Sequence, residues 1–212
     1  MTIYSSELSG YITELYAQDD DLEAVKAAIP QKGLPAINIQ PEEGRFLQVL
    51  VRACAVEKAD EIGSLGGYSG TWIARGLAPG GKLITLEVEP RHAEVARQHF
   101  QLTGVADRVE VRQGNAHQLL VGLSDEGPFD FVFIDAEKSG YPAYLAWAVD
   151  NLRIGGLVAA HNAFQYGAVL APSAGSDSGT MDAFNRKVAG DPRLMGTIYP
   201  GGDGTLVAVR VA

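Results

Sequence analysis

The pattern of apolar residues changes near residue 58. Before it, apolar residues recur every three or four positions, the spacing of one face of a helix; they are Tyr11, Leu15, Leu22, Val25, Ala28, Ile29, Phe46, Leu47, Leu50 and Val51. After it, short apolar runs alternate with helical segments. The pattern predicts N-terminal helices within 1–57 and a core of alternating strands and helices within 58–212.

Five short apolar runs in the second part are typical of buried strands: ADEIG, KLITLE, RVEVRQ, FDFVFIDA and GLVAAH. Helices are predicted between them, over 69–77, 91–103 and 143–152. This alternation predicts an α/β fold with a parallel sheet covered on both faces. The tail predicts a loop rich in Ser and Gly over 171–180, a helix near 181–188 and a last strand over 205–211, which favours an antiparallel edge hairpin.

The length, composition and net charge of the chain exclude several classes of protein. A chain of 212 residues fits a single domain, 1–212, and its 46% of hydrophobic residues is ordinary for a globular protein. The formal charge of −9 disfavours nucleic acid as a partner. The N-terminus lacks the features of a signal peptide, and no apolar run approaches the roughly 20 residues of a membrane span. We expect a cytoplasmic protein without a membrane contact, in which the lone Cys54 is a buried, inert thiol.

The segment EIGSLGGYSG follows a predicted strand and opens a helix. Its glycines suit a loop whose backbone a cofactor approaches closely, although a purely structural turn fits them too. The spacing is neither that of a dinucleotide fingerprint nor that of a phosphate loop. Ser69 is placed either to cap the helix or to bind a ligand carboxylate. Glu87 ends the next strand, where it is either a solvated carboxylate or an acceptor for both hydroxyls of a ribose.

Four motifs in this order, EIGSLGGYSG, LEVEP, FIDAEKSGY and GLVAAHN, resemble the metal-dependent catechol and caffeoyl-CoA O-methyltransferase family. The resemblance covers most of the chain. It implies a class I methyltransferase (Rossmann-like) fold with a seven-stranded sheet, antiparallel only in its last strand, and S-adenosylmethionine (SAM) as cofactor. It also implies which residues surround SAM: Glu61, Gly63 and Ser69 at the methionine part, Asp135 beside them, Glu87 at the ribose, and Ala116 at the adenine, next to an Asn115 where many relatives have Asp.

The run FVFI ends in Asp135, with Lys138 three residues later. By spacing alone the two form either a local ion pair or part of a site. The resemblance implies that Asp135 is a metal ligand and that Lys138 is the base for the substrate hydroxyl. A phenol has a pKa near 10, so its proton must be removed with help from a base and a cation. We therefore expect O-methylation of a catechol-like or hydroxycinnamoyl-type aromatic.

His161 departs from the family pattern, which has Asp followed by Asn where this chain has His161 and Asn162. Asp135, His161 and Asn162 still offer three ligands, but with one negative charge fewer. Mg²⁺ should bind more weakly, and Mn²⁺, Co²⁺, Ni²⁺ or Zn²⁺ should gain relative to it. Three alternatives remain open: His161 is itself the base of a metal-free enzyme, it is a structural histidine, or the chain binds SAM without turnover.

Further residues are candidates for the substrate wall: Tyr141, Phe164, Tyr166 and the segment 36–39, with core packing as the alternative for each. The remaining histidines, His92, His99 and His117, are expected at the surface or at caps. The family also implies a homodimer. A nicotinamide-dependent oxidoreductase would rest only on the glycine loop and Glu87, and a titration comparing SAM with NAD would separate the two.

Overall fold

The computed structural model describes residues 4–212, so only Met1 to Ile3 of the predicted N-terminal part lie outside it. The strands are β1 Lys58–Ile62, β2 Lys82–Glu87, β3 Val109–Gln113, β4 Phe129–Ile134, β5 Leu152–Ala160, β6 Leu194–Tyr199 and β7 Thr205–Arg210. The α-helices are α1 Ser6–Ile12, α2 Asp20–Gln31, α3 Pro41–Ala53, α4 Tyr68–Gly76, α5 Pro90–Leu102, α6 Ala116–Leu123, α7 Tyr141–Asn151 and α8 Asp177–Gly190.

The seven strands form one sheet in the order β3-β2-β1-β4-β5-β7-β6. Strands β1 to β5 pair in parallel, while β7 is antiparallel to both β5 and β6. The chain order reverses between β1 and β4, and ligands bind such sheets at the carboxyl ends of the strands at this switch point. The predicted seven-stranded fold with an antiparallel last strand is confirmed.

Two apolar cores cover the two faces of the sheet. One joins α2 and α3 to α4, α5 and the sheet, with Trp72 and Phe100 among its largest side chains. The other joins α6, α7 and α8 to the opposite face, around Tyr144 and Phe184. The N-terminal helices therefore share a core with the sheet, which fixes α3 beside the strand ends.

Helix α3 begins with several signals that the sequence carries. Pro41 occupies its first turn, and Gln40 and Glu43 form a reciprocal capping box. The side chain of Glu43 accepts a hydrogen bond from the Gln40 backbone N–H at 2.9 Å. This cap fixes the position of Glu43, which is buried.

The structure corrects three details of the sequence prediction. Helix α8 begins at Asp177, where the Ser176 side chain accepts from the Gly179 N–H, so the predicted loop is shorter. The first strand of the expected edge hairpin, β6, was not located in the sequence, because Leu194–Tyr199 lacks a clear alternation of apolar and polar residues. Cys54 is half-buried at the end of α3 rather than fully buried. Within 4–212, none of the helices has the length and apolar character that crossing a membrane requires.

Asp60 on β1 is fully buried, and within the described residues neither of its carboxyl oxygens has a hydrogen-bond partner. Burial and the charge of Glu61 raise the pKa of Asp60 well above its ordinary value, against an opposing effect of Arg112. The unfolded chain ionises this carboxyl near pH 4, whereas the folded protein keeps it protonated to higher pH. Asp60 therefore lowers the free energy of unfolding by a growing amount as pH rises above about 4.

We expect Asp60→Val to stabilise the fold by about 1–3 kcal/mol near neutral pH, because the apolar residue removes an unsatisfied buried carboxyl. Urea unfolding at about pH 5 and about pH 8 measures the effect, and the gain should be larger at the higher pH. Asp60→Asn is the control, since it removes ionisation but keeps buried polar atoms. A pH-independent gain, or a loss, would show that Asp60 is compensated in the native state.

Candidate active site

A cavity of about 1010 Å³ opens at the carboxyl ends of β1, β2, β4 and β5. It lies at the switch point of the sheet, where ligands of this architecture bind. Loops after the strands form its floor, and residues 36–40 and the turn Gly202–Asp203 close one side. The volume is at the upper end of the usual range for small-molecule sites, enough for two ligands side by side.

The glycine loop forms one end of the cavity. Gly63 has a φ of 101°, and a Cβ at this position would lie 2.1 Å from the backbone oxygen of Asp135. Only glycine lets the loop after β1 lie against the loop after β4. Gly67, with a φ of 78°, is the N-cap of α4. The loop therefore presents its backbone to the cavity next to Asp135.

Glu87 ends β2 and lines the same end of the cavity. One of its oxygens accepts from the Leu65 N–H at 2.7 Å and the other accepts from the Glu89 N–H at 2.9 Å. The carboxylate is thus held in one orientation before any ligand binds. His92 Nδ1 lies 3.7 Å away and also lines the cavity, so this histidine is part of the site rather than a plain surface residue.

Glu61 lies behind the cavity wall, whereas Gly63 and Ser69 line the cavity. Its two carboxyl oxygens accept from the hydroxyls of Ser69 and Thr85, each at 2.6 Å. Burial raises the pKa of Glu61 to about 7, against the effect of these two hydrogen bonds. Glu61 therefore orients the Ser69 hydroxyl from below.

Two buried hydroxyls of this loop, Ser64 Oγ and Tyr68 Oη, have no hydrogen-bond partner among the described residues. Both residues line the cavity. Both hydroxyl oxygens are themselves buried, so each is an unsatisfied polar group beneath the surface of the loop. Ala116 and Asn115 line the cavity beyond the end of β3, and Asn115 is the N-cap of α6.

Asp135 and Lys138 lie at the other end of the cavity, after β4. Lys138 Nζ lies 3.7 Å from Asp135 Oδ1 and donates to the Tyr141 hydroxyl at 2.6 Å and to the Ala136 carbonyl at 3.1 Å. Burial lowers the pKa of Lys138, against the effect of Asp135. This is the direction that suits an amine that accepts a proton.

His161 lies at the end of β5, buried between two carboxylates. Its Nε2 is 3.1 Å from Glu43 Oε1, and its Nδ1 is 3.4 Å from Asp135 Oδ2. Burial alone would lower the pKa of His161, but Asp135 and Glu43 outweigh it and raise this pKa to about 10. Burial would likewise raise the pKa of Asp135, yet the charges of His161 and Lys138 hold it below its ordinary value.

Asn162 follows His161 in a left-handed conformation, with a φ of 58°. Its amide Nδ2 donates to Asp203 Oδ2 at 3.0 Å, and the other oxygen of Asp203 accepts from the Tyr166 N–H at 2.5 Å. The bond to Asp203 leaves the amide oxygen of Asn162 available as an acceptor or ligand. Asp203 thus links the predicted ligand Asn162 to the cavity rim.

The predicted metal ligands all line the cavity, with Asp135 Oδ2 3.4 Å from His161 Nδ1, and their chemistry fits a divalent cation. Asp135 supplies carboxylate oxygen, His161 supplies nitrogen and Asn162 supplies amide oxygen, the mixed set that suits Mn²⁺, Co²⁺ or Zn²⁺ better than Mg²⁺. Among residues 4–212 there is no group of three or more His, Cys, Asp and Glu side chains arranged to hold a metal. A metal here would therefore depend on Asn162 as its third protein ligand.

Part of the candidate substrate wall lines the cavity. Tyr166 and 36–39 line the cavity, and Tyr166 is 91% exposed at its mouth. Tyr141 is instead fully buried beneath Lys138, so for it the core-packing alternative is correct. Phe164 is half-buried against the turn at Gly204 and does not line the cavity.

The prediction of a surface or cap position was wrong for His99, which is buried, with its Nδ1 2.8 Å from the Gly66 carbonyl. His117 is exposed, as expected.

Two residues of the site were missed from the sequence, Glu43 and Asp203. Each carried a local signal: Glu43 is the third residue of a capping box, and Asp203 lies in the turn GGDG. These signals predict local structure only. That both side chains reach the strand ends depends on how α3 and the β6–β7 turn pack on the sheet.

Comparison with known proteins agrees with this geometry. A family model described as O-methyltransferase matches residues 13–211. The catechol O-methyltransferase of Mycobacterium tuberculosis is 44% identical over 164 residues, which are 77% of this chain and 74% of that protein. The catechol O-methyltransferase of Niastella koreensis is 41% identical over 169 residues, 79% of this chain and 74% of that one.

Solved structures agree as well. The O-methyltransferase from Bacillus cereus in complex with SAH (S-adenosylhomocysteine) superposes with a TM-score of 0.90 at 36% identity, over 96% of this chain and 97% of that chain. The O-methyltransferase TomG from Streptomyces achromogenes, involved in tomaymycin synthesis, was solved in complex with SAM. It superposes with a TM-score of 0.89 at 32% identity, over 97% of this chain and 96% of that chain. The chain therefore belongs to the O-methyltransferase family, whose members transfer a methyl group to oxygen.

Proposed function

We propose that this protein is a SAM-dependent O-methyltransferase that methylates one hydroxyl of a small catechol-like aromatic, with Lys138 as the base and a divalent metal ion in the site. One observation carries the proposal. A single cavity joins the glycine loop and Glu87 at one end to Asp135, Lys138 and His161 at the other. The catechol O-methyltransferases among the relatives support the substrate class.

SAM is assigned to the end of the cavity that the glycine loop forms, where it supplies the methyl group. Glu87, held by two backbone N–H groups, can accept from both ribose hydroxyls. Ser69, which lines this end of the cavity, suits the charged amino-acid part. Ala116 provides a small apolar surface for the adenine. The Bacillus and Streptomyces structures, which hold SAH and SAM, support this assignment.

Lys138 is assigned to remove the proton from the acceptor hydroxyl. Its ammonium group is buried, which lowers its pKa and makes the neutral amine easier to form. In its neutral form Nζ can accept the phenol proton while it still donates to the Tyr141 hydroxyl and the Ala136 carbonyl. These two contacts hold Nζ at the cavity wall. The reaction that follows needs alignment of the oxygen with the methyl group more than covalent help.

A divalent metal would be held by Asp135, by Asn162 and by the Nδ1 atom of His161. When bound, such a cation supplies charge that stabilises the deprotonated hydroxyl and orients a vicinal diol. His161 in place of a second carboxylate makes the ligand set less negative than the family pattern. This change favours metals with higher affinity for nitrogen over Mg²⁺.

The alternative in which His161 itself takes the proton is less well supported. Both of its ring nitrogens face carboxylate oxygens, Nε2 towards Glu43 and Nδ1 towards Asp135. Without a metal these neighbours keep the imidazole protonated, because they raise its pKa to about 10. A protonated imidazole with both N–H groups engaged is a poor base at neutral pH.

Turnover of SAM to SAH with a panel of phenols tests the proposal. We expect methylation of catechol and caffeate, and much slower turnover with resorcinol, which has the same two hydroxyls but cannot chelate a cation. Exhaustive chelation should lower the rate, and Mn²⁺ or Co²⁺ should restore it better than Mg²⁺. Tight SAM binding without turnover on the whole panel would instead indicate a binding protein that has lost the activity. A rate insensitive to chelation and to added metal would remove the metal from the proposal.

The proposal also includes the expected assembly and environment. The acidic charge and a cavity within the size range of small-molecule sites favour a small-molecule substrate over nucleic acid or a membrane surface. We further propose a cytoplasmic homodimer, as the family resemblance implies. Sedimentation velocity at micromolar concentration would test the dimer.

A further inference from the structure

Glu43 is a buried carboxylate of α3 whose position is fixed from several sides. Oε2 accepts from the Gln40 N–H at 2.9 Å, and Oε1 faces the Thr205 hydroxyl at 3.4 Å and His161 Nε2 at 3.1 Å. Gly202 lies so close that a Cβ there would overlap the Glu43 carboxylate. The side chain therefore has one orientation, with Oε1 towards His161.

The backbone of His161 is fixed as well. Its N–H donates to the Ile134 carbonyl at 3.0 Å, and its carbonyl accepts from the Tyr141 hydroxyl at 3.1 Å. With the backbone held, the contact with Glu43 sets the ring orientation. A carboxylate has only acceptors, so the hydrogen of this contact lies on Nε2. The other ring nitrogen, Nδ1, then points at Asp135 Oδ2 at 3.4 Å, and a metal ion bound there would take the place of the Nδ1 proton.

We propose that Glu43 is a positioning residue that holds the Nε2–H of His161 and thereby presents Nδ1 as the nitrogen ligand of a transition-metal ion. The inference rests on the proposed metal-assisted function. A metal-ligating histidine usually donates its second ring N–H to a carboxylate or carbonyl, which fixes the ring and makes it a better ligand. The pair Glu43 and His161 gives this arrangement from two distant parts of the chain, α3 and β5.

Capping alone does not account for the position of Glu43. The cap uses Oε2, whereas Oε1 points away from the helix end, towards the strand ends. The neighbouring Glu42 is equally buried, but its carboxylate accepts from the hydroxyls of Tyr4 and Thr13 and does not contact His161. Glu42 therefore offers a matched control on the same turn of α3.

Metal titration calorimetry and pulsed EPR test the inference. In protein stripped of metal, Co²⁺ and Mn²⁺ should bind more tightly than Mg²⁺. Mn²⁺-loaded protein labelled with ¹⁵N-histidine should show coupling to one imidazole nitrogen, and this coupling should be lost in His161→Ala. Glu43→Gln leaves one acceptor oxygen for the two roles of the carboxylate, the cap and the His161 N–H, and it should weaken Co²⁺ binding roughly tenfold. Glu43→Leu should weaken it further, and Glu42→Gln should leave it unchanged.

Several results would overturn the inference: no metal binding by the unmodified protein, no nitrogen coupling, or equal Co²⁺ affinity in Glu43→Gln and Glu42→Gln. SAM affinity and thermal unfolding of each variant show whether it is folded. If Glu43→Leu does not fold, Glu43→Gln and the EPR spectrum of the unmodified protein still decide. The proposed function fails separately: catechol turnover without nitrogen coupling contradicts only the role of Glu43, and nitrogen coupling without turnover contradicts only the activity.

Discussion

Replacing Lys138 by methionine is expected to lower kcat for catechol methylation by roughly 10²- to 10⁴-fold, the usual contribution of a general base. Methionine has a similar length and suits the buried position, so SAM affinity should stay close to that of the unmodified protein. Lys138→Arg should be similarly inactive, because arginine keeps the positive charge but does not lose its proton at accessible pH. Initial rates of SAH formation and SAM titration calorimetry measure both effects.

The dependence of kcat on pH is a second test of Lys138 as the base. Only neutral Lys138 can accept a proton, so kcat should rise with pH up to the pKa of Lys138, which burial places below its ordinary value. Lys187→Met is the control, because Lys187 is exposed on α8. Normal turnover of Lys138→Met near neutral pH would remove Lys138 from the chemistry. Restored activity in Lys138→Arg would assign it a purely electrostatic role.

Replacing Glu87 by alanine is expected to weaken SAM binding by about 1–3 kcal/mol, roughly 5- to 150-fold. The variant loses a charged acceptor whose orientation is set before the ligand binds, by the N–H groups of Leu65 and Glu89. Glu87→Gln should have a smaller effect, since the amide keeps one acceptor oxygen. Calorimetric titration with SAM and with SAH provides the measurement.

The control for this prediction is Glu94→Ala, which removes an exposed carboxylate on α5. Its SAM affinity should be unchanged. Thermal unfolding of Glu87→Ala without ligand shows whether the glycine loop still folds when the N–H groups of Leu65 and Glu89 lose their acceptor. Equal SAM affinity of Glu87→Ala and the unmodified protein would place the ribose elsewhere in the cavity.

The parts of the site that follow parallel strands could be predicted from the sequence. Glu87, Asp135 and His161 each follow or end an apolar run, and parallel strands bring their carboxyl ends to one edge of the sheet. The seven-stranded sheet and its antiparallel last strand followed from the family resemblance. The same argument predicted that Lys138, three residues after Asp135, lies at this edge of the sheet.

The rest of the site depends on packing that the sequence does not encode locally. Glu43 reaches His161 only because α3 packs on the sheet edge, and Asp203 reaches Asn162 only because β7 pairs with β5. Tyr141 looked like a wall residue by its place after Lys138, yet its ring faces the core. The helix direction after a turn decides which side of α7 is buried, and the spacing of residues around the turn does not reveal it.

The two ends of the cavity are built from different kinds of chain segment. The end proposed for SAM is formed by loops between the core strands. The end proposed for the acceptor is lined by 36–40, by Gln165 and Tyr166, and by Gly202–Asp203. These three segments lie outside the alternating core, and distant sites tend to contribute independently. Acceptor preference can therefore diverge among relatives by exchange of short exposed segments while donor affinity is conserved. Libraries that vary Ile37 and Tyr166 are the natural route to new acceptors.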